Sequence, residues 1–255
     1  MKSKKIRNCF LISLPVLPII ATTIGCTTKE KEKEKEKDPK VPTPTPSPNI
    51  IKDKNFEFVK NSNETLKIEK YIGNDTNVTI PSEYKGKKIT TIGKWAFTYS
   101  FYDALYRKNI KTINLPNSIK TIEEYAFTNS SLENITLNEG LEKIGAHAFS
   151  NTKIKSIVIP SSVKEIGNSA FDGCFSLSQV TLNEGLEKIG DSAFKDTKIT
   201  SITIPSSVKE IGNDAFAGFY SRLKKVICKV PRDKITWKWS DLNGTYNWTW
   251  TVEYV

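Results

Sequence analysis

The sequence contains few of the side chains that enzymes most often use for catalysis. Its 255 residues include one histidine, His147, together with four cysteines and one methionine. A histidine-based triad therefore has a single possible base, and the cysteines lack the paired spacing of a zinc site. We predict no catalytic residue and no metal site, and we do not expect an enzyme.

Long apolar runs are also scarce. After residue 25, no apolar run approaches the roughly 18 residues that a membrane-spanning helix needs. Residues 1–25 have the order of a secretory signal peptide, with basic residues before an apolar stretch over residues 10–20. The ending Ile24-Gly25-Cys26 resembles a bacterial lipoprotein lipobox, although Thr23 stands where that motif most often has Leu. The resemblance implies cleavage before Cys26 and a diacylglycerol on its sulfur, so that a covalent lipid is the one attached group expected. An ordinary secretory signal is the alternative.

Residues 26–50 have the composition of a tether. Lysine alternates with acidic residues over positions 29–38, and a Pro, Thr and Ser tract follows over positions 39–48. The first part has no apolar residue with which to build a core, and the second favours polyproline II. We expect this segment to hold the rest of the chain away from a membrane, or to act as a solubilising spacer.

The most informative feature of the sequence is an internal repeat. The hexapeptide Ile-x-x-x-Ala-Phe occurs six times, at residues 92–97, 122–127, 144–149, 166–171, 189–194 and 211–216. The repeat unit is therefore 22 or 23 residues long, with one insertion of eight residues in the second repeat. Residues 134–171 and 179–216 are identical at 29 of 38 positions, which indicates duplication of a two-repeat block. A fixed period of this length predicts a solenoid.

Each unit can be interpreted physically. Segments such as 156–159 alternate as short strands with two apolar side chains inward, and a proline or asparagine then turns the chain. The glycine after the repeat Ile relieves a crowded corner or a positive-φ corner. The Ala-Phe pair packs as a short helical turn against the neighbouring coil. One coil cannot bury these residues alone, so the coils must stack.

These repeats resemble the BspA-like leucine-rich repeats of bacterial surface proteins, the type also found in Treponema pallidum. The resemblance covers roughly Leu66 to Val226, with Glu123 replacing one repeat glycine. It implies a β-rich, right-handed solenoid of six units with a parallel sheet. It also implies adhesion to host matrix or to other cells, with no catalytic residues. We assign residues 51–90 to an N-terminal cap, 91–226 to the repeats and 227–255 to a C-terminal cap.

The eight-residue insertion is the first candidate binding element. It brings together Tyr99, Phe101, Tyr102 and Tyr106. Tyrosine-rich loops supply contact area at a low entropy cost. The alternative is that these side chains cover a gap between repeats.

The outward positions of the repeat strands are the second candidate. One predicted column includes Thr136, Thr181 and Thr203, and a second contains Asn, Thr, Ser and Gln side chains with Lys225 at its end. Such a nearly uncharged face suits hydrogen bonding to glycans or to a protein strand. Threonine is also simply a good strand residue.

The aromatic C-terminal segment is the third candidate. Trp237 and Trp239 alternate before Asn243-Gly244, and Trp248 and Trp250 alternate after it. This pattern predicts a β-hairpin that caps the last coil of the solenoid. The alternative is an aromatic platform for carbohydrate.

The remaining residues argue against catalysis and against nucleic-acid binding. His147 occupies a variable repeat position that we expect to be exposed, and we expect Cys174 and Cys228 to be buried free thiols. The net charge is +10, but Lys and Glu alternate along the repeats instead of forming the basic stripe of a nucleic-acid-binding protein. We predict a lipid-anchored binding protein on the extracellular face of the membrane. Its partner is a host extracellular protein, as for an adhesin; the alternative is a structural or glycan-binding lipoprotein of the cell's own envelope.

Overall fold

The computed structural model describes residues 50–98, 109–218, 222–238 and 250–255. These residues form a β-solenoid of about seven turns. The strands are β1 Ile51–Lys52, β2 Phe56–Lys60, β3 Leu66–Tyr71, β4 Asn77–Thr79, β5 Glu83–Tyr84, β6 Lys87–Ile92, β7 Thr112–Asn114, β8 Thr121–Ile122, β9 Asn134–Thr136, β10 Lys143–Ile144, β11 Ser156–Ile159, β12 Glu165–Ile166, β13 Gln179–Leu182, β14 Lys188–Ile189, β15 Ser201–Ile204, β16 Glu210–Ile211, β17 Lys225–Cys228, β18 Thr236–Trp237 and β19 Thr251–Tyr254.

Each repeat contributes one strand to each of two faces. The first face is one sheet in the order β1-β2-β3-β6-β8-β10-β12-β14-β16-β18, with β5 paired to β6. The second face consists of three shorter sheets in the orders β4-β7-β9, β11-β13 and β15-β17-β19. Repeat strands pair in parallel, so equivalent positions of successive repeats lie in columns along the solenoid. The predicted solenoid of leucine-rich repeats is therefore confirmed.

The core lies between the two faces and is continuous from coil to coil. Its centre is a stack of the six repeat phenylalanines, whose neighbouring ring centroids lie 5.0 to 5.7 Å apart. Tyr71 extends this stack at its N-terminal end, at 5.4 Å from Phe97. Stacked aromatic pairs contribute about 0.5–1.5 kcal/mol each beyond the burial of their area. The fixed spacing of the repeat Phe therefore stabilises the contact between every two coils.

The antiparallel strands β1, β2 and β3 lie at the N-terminal end of the first face. Strand β3 then pairs in parallel with β6 and so begins the stack of coils. Phe58 and Tyr71 are fully buried on the inner side of this hairpin. An antiparallel hairpin placed here covers the first coil, whose apolar side chains would otherwise face water.

The segment containing Ala-Phe differs from the sequence prediction. We predicted a short helical turn, but among the described residues each segment is a pair of hydrogen-bonded turns and no helix is formed. In one coil the Ala148 N–H donates to the Gly145 carbonyl, and the Ser150 N–H donates to the His147 carbonyl. His147 lies between them with a φ of 54°, and a right-handed helix cannot continue through a positive φ. Within the described ranges, then, no helix is available that could span a bilayer.

The repeat glycine is required by crowding. A Cβ on Gly167 would lie 2.6 Å from the Ala146 nitrogen and 2.6 Å from the Gly145 carbonyl carbon. Among the glycines that the structure describes, four others have positive φ, and none of these is a repeat glycine. Of the two alternatives that the sequence left open, the structure therefore supports the crowded corner.

Glu123, which replaces this glycine in one repeat, makes a different contact with the preceding coil. Its carboxylate accepts a hydrogen bond of 2.9 Å from the Lys94 N–H. At the same repeat position in later coils, the Asp191 N–H donates to the Asn168 side-chain oxygen at 3.0 Å, and the Asn213 N–H donates to the Asp191 carboxylate at 2.7 Å. A side-chain acceptor on a neighbouring coil therefore serves this N–H in each of these coils.

The predicted C-terminal hairpin is wrong for the described residues. Strand β18 pairs in parallel with β16, and β19 pairs in parallel with β17. The two strands therefore extend two different faces instead of pairing with each other. The free edges of β16 and β17 are open to further strands, and the long connection between β18 and β19 allows both edges to be filled. Alternation of side chains cannot distinguish this arrangement from a hairpin.

Candidate functional site

The first face carries a regular alternation of charge. In four successive coils the two outward residues are Glu142 and Lys143, Lys164 and Glu165, Glu187 and Lys188, and Lys209 and Glu210. Opposite charges are therefore neighbours both within a coil and between coils. We call these eight residues the charged face.

Ion pairs connect the coils across the charged face. Lys188 lies 3.3 Å from Glu165 and 4.0 Å from Glu210, and Lys209 lies 2.6 Å from Glu187. The hydrogen bond from Lys209 holds the pKa of Glu187 below its usual value. The charges of this face are thus largely compensated within the chain, which leaves little net charge for a partner.

The second face has the opposite composition. Its first six strands present twelve outward positions, and none of them is charged: Asn77, Thr79, Thr112, Asn114, Asn134, Thr136, Ser156, Val158, Gln179, Thr181, Ser201 and Thr203. The strand register pairs Asn114 with Thr136 and Val158 with Thr181. The three threonines predicted to share a column therefore all point outward, with Val158 between two of them. We call these twelve residues the uncharged face.

The turns between β-strands present a third surface, which we call the turn side. Each of six coils has a non-glycine residue with a φ of 52° to 62° just before the repeat Ala-Phe. These residues are Trp95, Tyr125, His147, Ser169, Ser192 and Asp214. Their side chains form a column parallel to the buried stack of phenylalanines.

The first three members of this column stack on one another. The rings of Trp95 and Tyr125 are 4.1 Å apart and inclined by 3°, and those of Tyr125 and His147 are 4.6 Å apart and inclined by 5°. We call these three residues the aromatic stack. His147 was expected to be exposed, but it is half-buried in this stack. Sequence reasoning placed all three in one repeat position and missed their contact, although aromatic side chains in three consecutive repeats were the available signal.

Charged groups lie beside the aromatic stack. The Lys94 ammonium lies 5.7 Å from the centre of the Tyr125 ring and 2.6 Å from the Glu124 carboxylate. Farther along the turn side, burial raises the pKa of Asp172, while the nearby charge of Lys195 acts in the opposite direction.

The two described cysteines are buried free thiols, as predicted. Burial raises the pKa of Cys174 to about 11, and its sulfur lies 3.3 Å from the Thr152 hydroxyl. Such a thiol is protonated at neutral pH and is a poor nucleophile. Across the ranges that the structure describes, no group of three or more His, Cys, Asp or Glu residues could hold a metal ion.

Of the remaining candidate binding residues, the structure describes two. Trp237 and Trp250 lie together, with ring centroids 6.2 Å apart, and both pack against the hydrophobic core. With Phe216 they line a small cleft at the last coil. The other predicted site residues lie outside the described residues: Cys26, Tyr99, Phe101, Tyr102, Tyr106, Trp239 and Trp248.

The repeat pattern is shared with known bacterial proteins. Residues 101–222 match the family described as the BspA type leucine rich repeat region, in six copies. The repeat region of this chain belongs to the BspA-type leucine-rich repeats. No curated protein gives a significant match.

Solved structures of bacterial proteins share the fold. A leucine rich cell surface protein from Faecalibacterium prausnitzii is 25% identical, with a TM-score of 0.54 over 72% of this chain and 55% of that protein. The pneumococcal vaccine antigen PcpA is 25% identical, with a TM-score of 0.59 over 73% of this chain and 51% of that protein. The T. pallidum leucine rich repeat protein is 25% identical, with a TM-score of 0.51 over 68% and 90%. This chain thus spans about half the length of the first two proteins.

Proposed function

We propose that this BspA-type repeat protein is an adhesin that binds a host matrix or cell-surface protein through its uncharged face. Catalysis plays no part in this function, and contact with a partner is its whole activity. The similar protein from F. prausnitzii is described as a cell surface protein, which supports the same location here. The lipobox-like sequence before Cys26 and the tether after it support a lipid anchor on the outer side of the membrane.

The observation that carries the proposal is the absence of charge from twelve outward positions of the uncharged face. Charged residues make up 26% of the chain, and the opposite face carries two in each of four coils. Surface charge usually keeps a protein soluble, and this face lacks it. The face instead presents hydroxyl and amide groups and an exposed Val158. A partner can bind these groups without removing water from any charged side chain.

The dimensions of the uncharged face suit a macromolecule. Parallel strands lie about 4.8 Å apart, so six strands extend roughly 24 Å along the solenoid. A strip of this length can contact about seven residues of an extended protein segment. A neutral glycan of the cell's own envelope is the second candidate, because hydroxyl and amide side chains also suit sugar hydroxyl groups.

A charge-insertion experiment tests this proposal. The triple variant Thr136→Lys, Thr181→Lys, Thr203→Lys places three charges on the uncharged face. Its matched control, Asn117→Lys, Ser161→Lys, Ser206→Lys, adds the same charge at the proline corners outside that face. Each full-length protein is presented to host matrix proteins, host cells and a glycan array at physiological salt.

We expect the wild-type protein to bind a host protein saturably. The first triple variant should lose this binding, and the control should retain it. Equal binding by both variants would eliminate the uncharged face. Binding to glycans alone would favour the envelope alternative, and the absence of any binding would overturn the adhesin proposal.

A further inference from the structure

Two of the three side chains in the aromatic stack are not those that the backbone favours. Within the described ranges, five coils have two residues with positive φ on the turn side, and left-handed backbone favours Gly, Asn, Asp and His. The second of these positions follows that rule, with Asn129, Asn151, Gly173, Asp196 and Gly218. The first position holds Trp95, Tyr125 and His147 in three adjacent coils instead. Backbone conformation therefore does not explain why Trp95 and Tyr125 occupy this position.

Burial does not explain them either. Trp95 is 47% exposed, whereas the repeat phenylalanines are buried. The three rings stack on each other and leave apolar surface at the outside of the solenoid. Exposed Trp and Tyr side chains with fixed geometry are the residues most enriched at binding hot spots.

The duplicated block shows where the chain has changed most. Residues 134–171 and 179–216 differ at nine positions, and none of these lies on the charged face. Five lie on the turn side: 146 and 191, 147 and 192, 150 and 195, 151 and 196, and 169 and 214. Three of the changes introduce an aspartate in the second copy, at positions 191, 196 and 214, and one introduces Lys195. The turn side is thus aromatic at one end and acidic at the other.

The charge of the turn side is opposite to that of the chain. Its segments are residues 93–98, 123–129, 145–151, 167–174, 190–196 and 212–218, which contain two lysines and six acidic residues. This surface therefore has a net charge of −4 on a chain with a net charge of +10. A cationic partner is complementary to it, whereas an anionic glycan is not.

Lys94 shows how a cation fits here. Its ammonium lies 5.7 Å from the centre of the Tyr125 ring and also pairs with Glu124. A ring and a carboxylate thus hold one cation together at the edge of the aromatic stack. Arginine makes the same two contacts with better geometry, since its planar guanidinium stacks on rings and pairs with carboxylates.

We propose that the turn side is a second binding surface, which takes an extended, arginine- or lysine-containing segment of a partner protein. The aromatic stack contacts the cationic side chains at one end, and Asp172 and Asp214 attract them farther along. Five steps of about 4.8 Å separate the coil of Trp95 from that of Asp214, or about 24 Å in all. An extended segment of about seven residues covers this distance. This surface is separate from the uncharged face, and the proposal stands whether or not that face binds a host protein.

The test uses the full chain and three fluorescent heptapeptides that differ in charge. Arginine alternates with serine in the first peptide, citrulline replaces arginine in the second, and glutamate replaces it in the third. Fluorescence anisotropy is measured at physiological salt. Citrulline keeps the shape of arginine and lacks its charge, so it separates a cation site from general peptide binding.

Two variants each remove one aromatic ring and keep the backbone conformation of the site. Trp95→Asn and His147→Asn each supply a residue that tolerates positive φ, so neither is expected to unfold the chain. Tyr254→Ser removes a ring of 38% exposure outside the turn side and is the matched control. We expect the arginine peptide to bind wild type and the control equally, and to bind each asparagine variant on the order of tenfold more weakly.

Equal binding of the arginine and citrulline peptides would overturn the proposal. Unchanged affinity in both asparagine variants would do the same, because the aromatic stack would then have no part in binding. A glycan signal that disappears in Trp95→Asn, with no arginine peptide bound, would reassign the stack to sugars. The triple lysine variant of the uncharged face should keep peptide binding, which makes failure of the two proposals distinguishable.

Discussion

Replacing one repeat glycine should destabilise the solenoid because two coils meet there without room for a methyl group. We choose Gly167→Ala, since its Cβ would lie 2.6 Å from the Ala146 nitrogen and 2.6 Å from the Gly145 carbonyl carbon. Both atoms belong to the backbone of the preceding coil and cannot rotate away. Ordinary contact at this Cβ begins at 3.4 Å, so the coils must separate locally by about 0.8 Å.

The cost of that separation follows from the contacts it disturbs. The Gly167 N–H donates to the Ile144 carbonyl at 3.0 Å, and a displacement of this size would take the bond beyond hydrogen-bonding distance. Losing a buried hydrogen bond costs about 1–3 kcal/mol, and overpacking a dense interior costs a similar amount. We therefore expect Gly167→Ala to lower the free energy of unfolding by about 2–4 kcal/mol.

Equilibrium unfolding in urea, followed by circular dichroism, measures this loss. With a slope of about 2 kcal/mol per M, the midpoint should fall by roughly 1–2 M. Gly86→Ala is the control, because its Cβ would meet no atom within 4 Å. Any loss of stability in this variant therefore comes from placing alanine at a φ of 72°. If both variants unfold at the same urea concentration, crowding between coils is not what selects the repeat glycine.

Three further predictions concern the core, the charged face and the buried thiol. Phe171→Ala should lower the free energy of unfolding by about 3–5 kcal/mol in urea, since it interrupts the central stack; a loss below about 1 kcal/mol would contradict this. Lys188→Glu should cost about 1 kcal/mol at low salt by facing Glu165 and Glu210, and a cost that persists in 1 M NaCl would refute the electrostatic cause. Cys174 has a higher pKa folded than unfolded, so stability should fall as the pH rises from about 9 to about 11; in pH-dependent melting Cys174→Ala should show a smaller decline, the remainder coming from Cys228, whose pKa is also raised by burial.

The sequence was sufficient to predict the stacked coils and the outward residues of one face. The recurrence of Ala-Phe at a fixed spacing allows one solution in which every Phe contacts its equivalent in the next coil. Alternation within each short strand then decides which side chains point inward. Because the register is the same in every repeat, outward residues such as Thr136 and Thr181 could be assigned before the structure was known.

Three features could not be predicted, each for a physical reason. Ala-Phe has good helix propensity, but the positive φ at the preceding position, as at His147, replaces a helix by two turns. Strands β18 and β19 alternate as hairpin strands do, and only the free edges of the solenoid decide that they pair in parallel with earlier coils. The aromatic stack had a signal in the sequence, because three consecutive repeats carry an aromatic residue at one position, but the side-chain direction that brings the rings together depends on that same positive φ.

The alternation of charge gives a physical reason why the chain was duplicated in blocks of two coils. Glu142 and Lys143 face Lys164 and Glu165, so one coil copied alone would place like charges side by side, whereas a copied pair keeps the alternation. Deletion variants test this: removing residues 144–165 brings like-charged coils together, while removing residues 144–188 preserves opposite neighbours. We expect the single-coil deletion to gain stability as NaCl is raised, because salt screens the repulsion, and the two-coil deletion to show no such gain. Equal responses to salt would mean that core packing alone fixed the duplication, since both deletions keep the stack of phenylalanines in register.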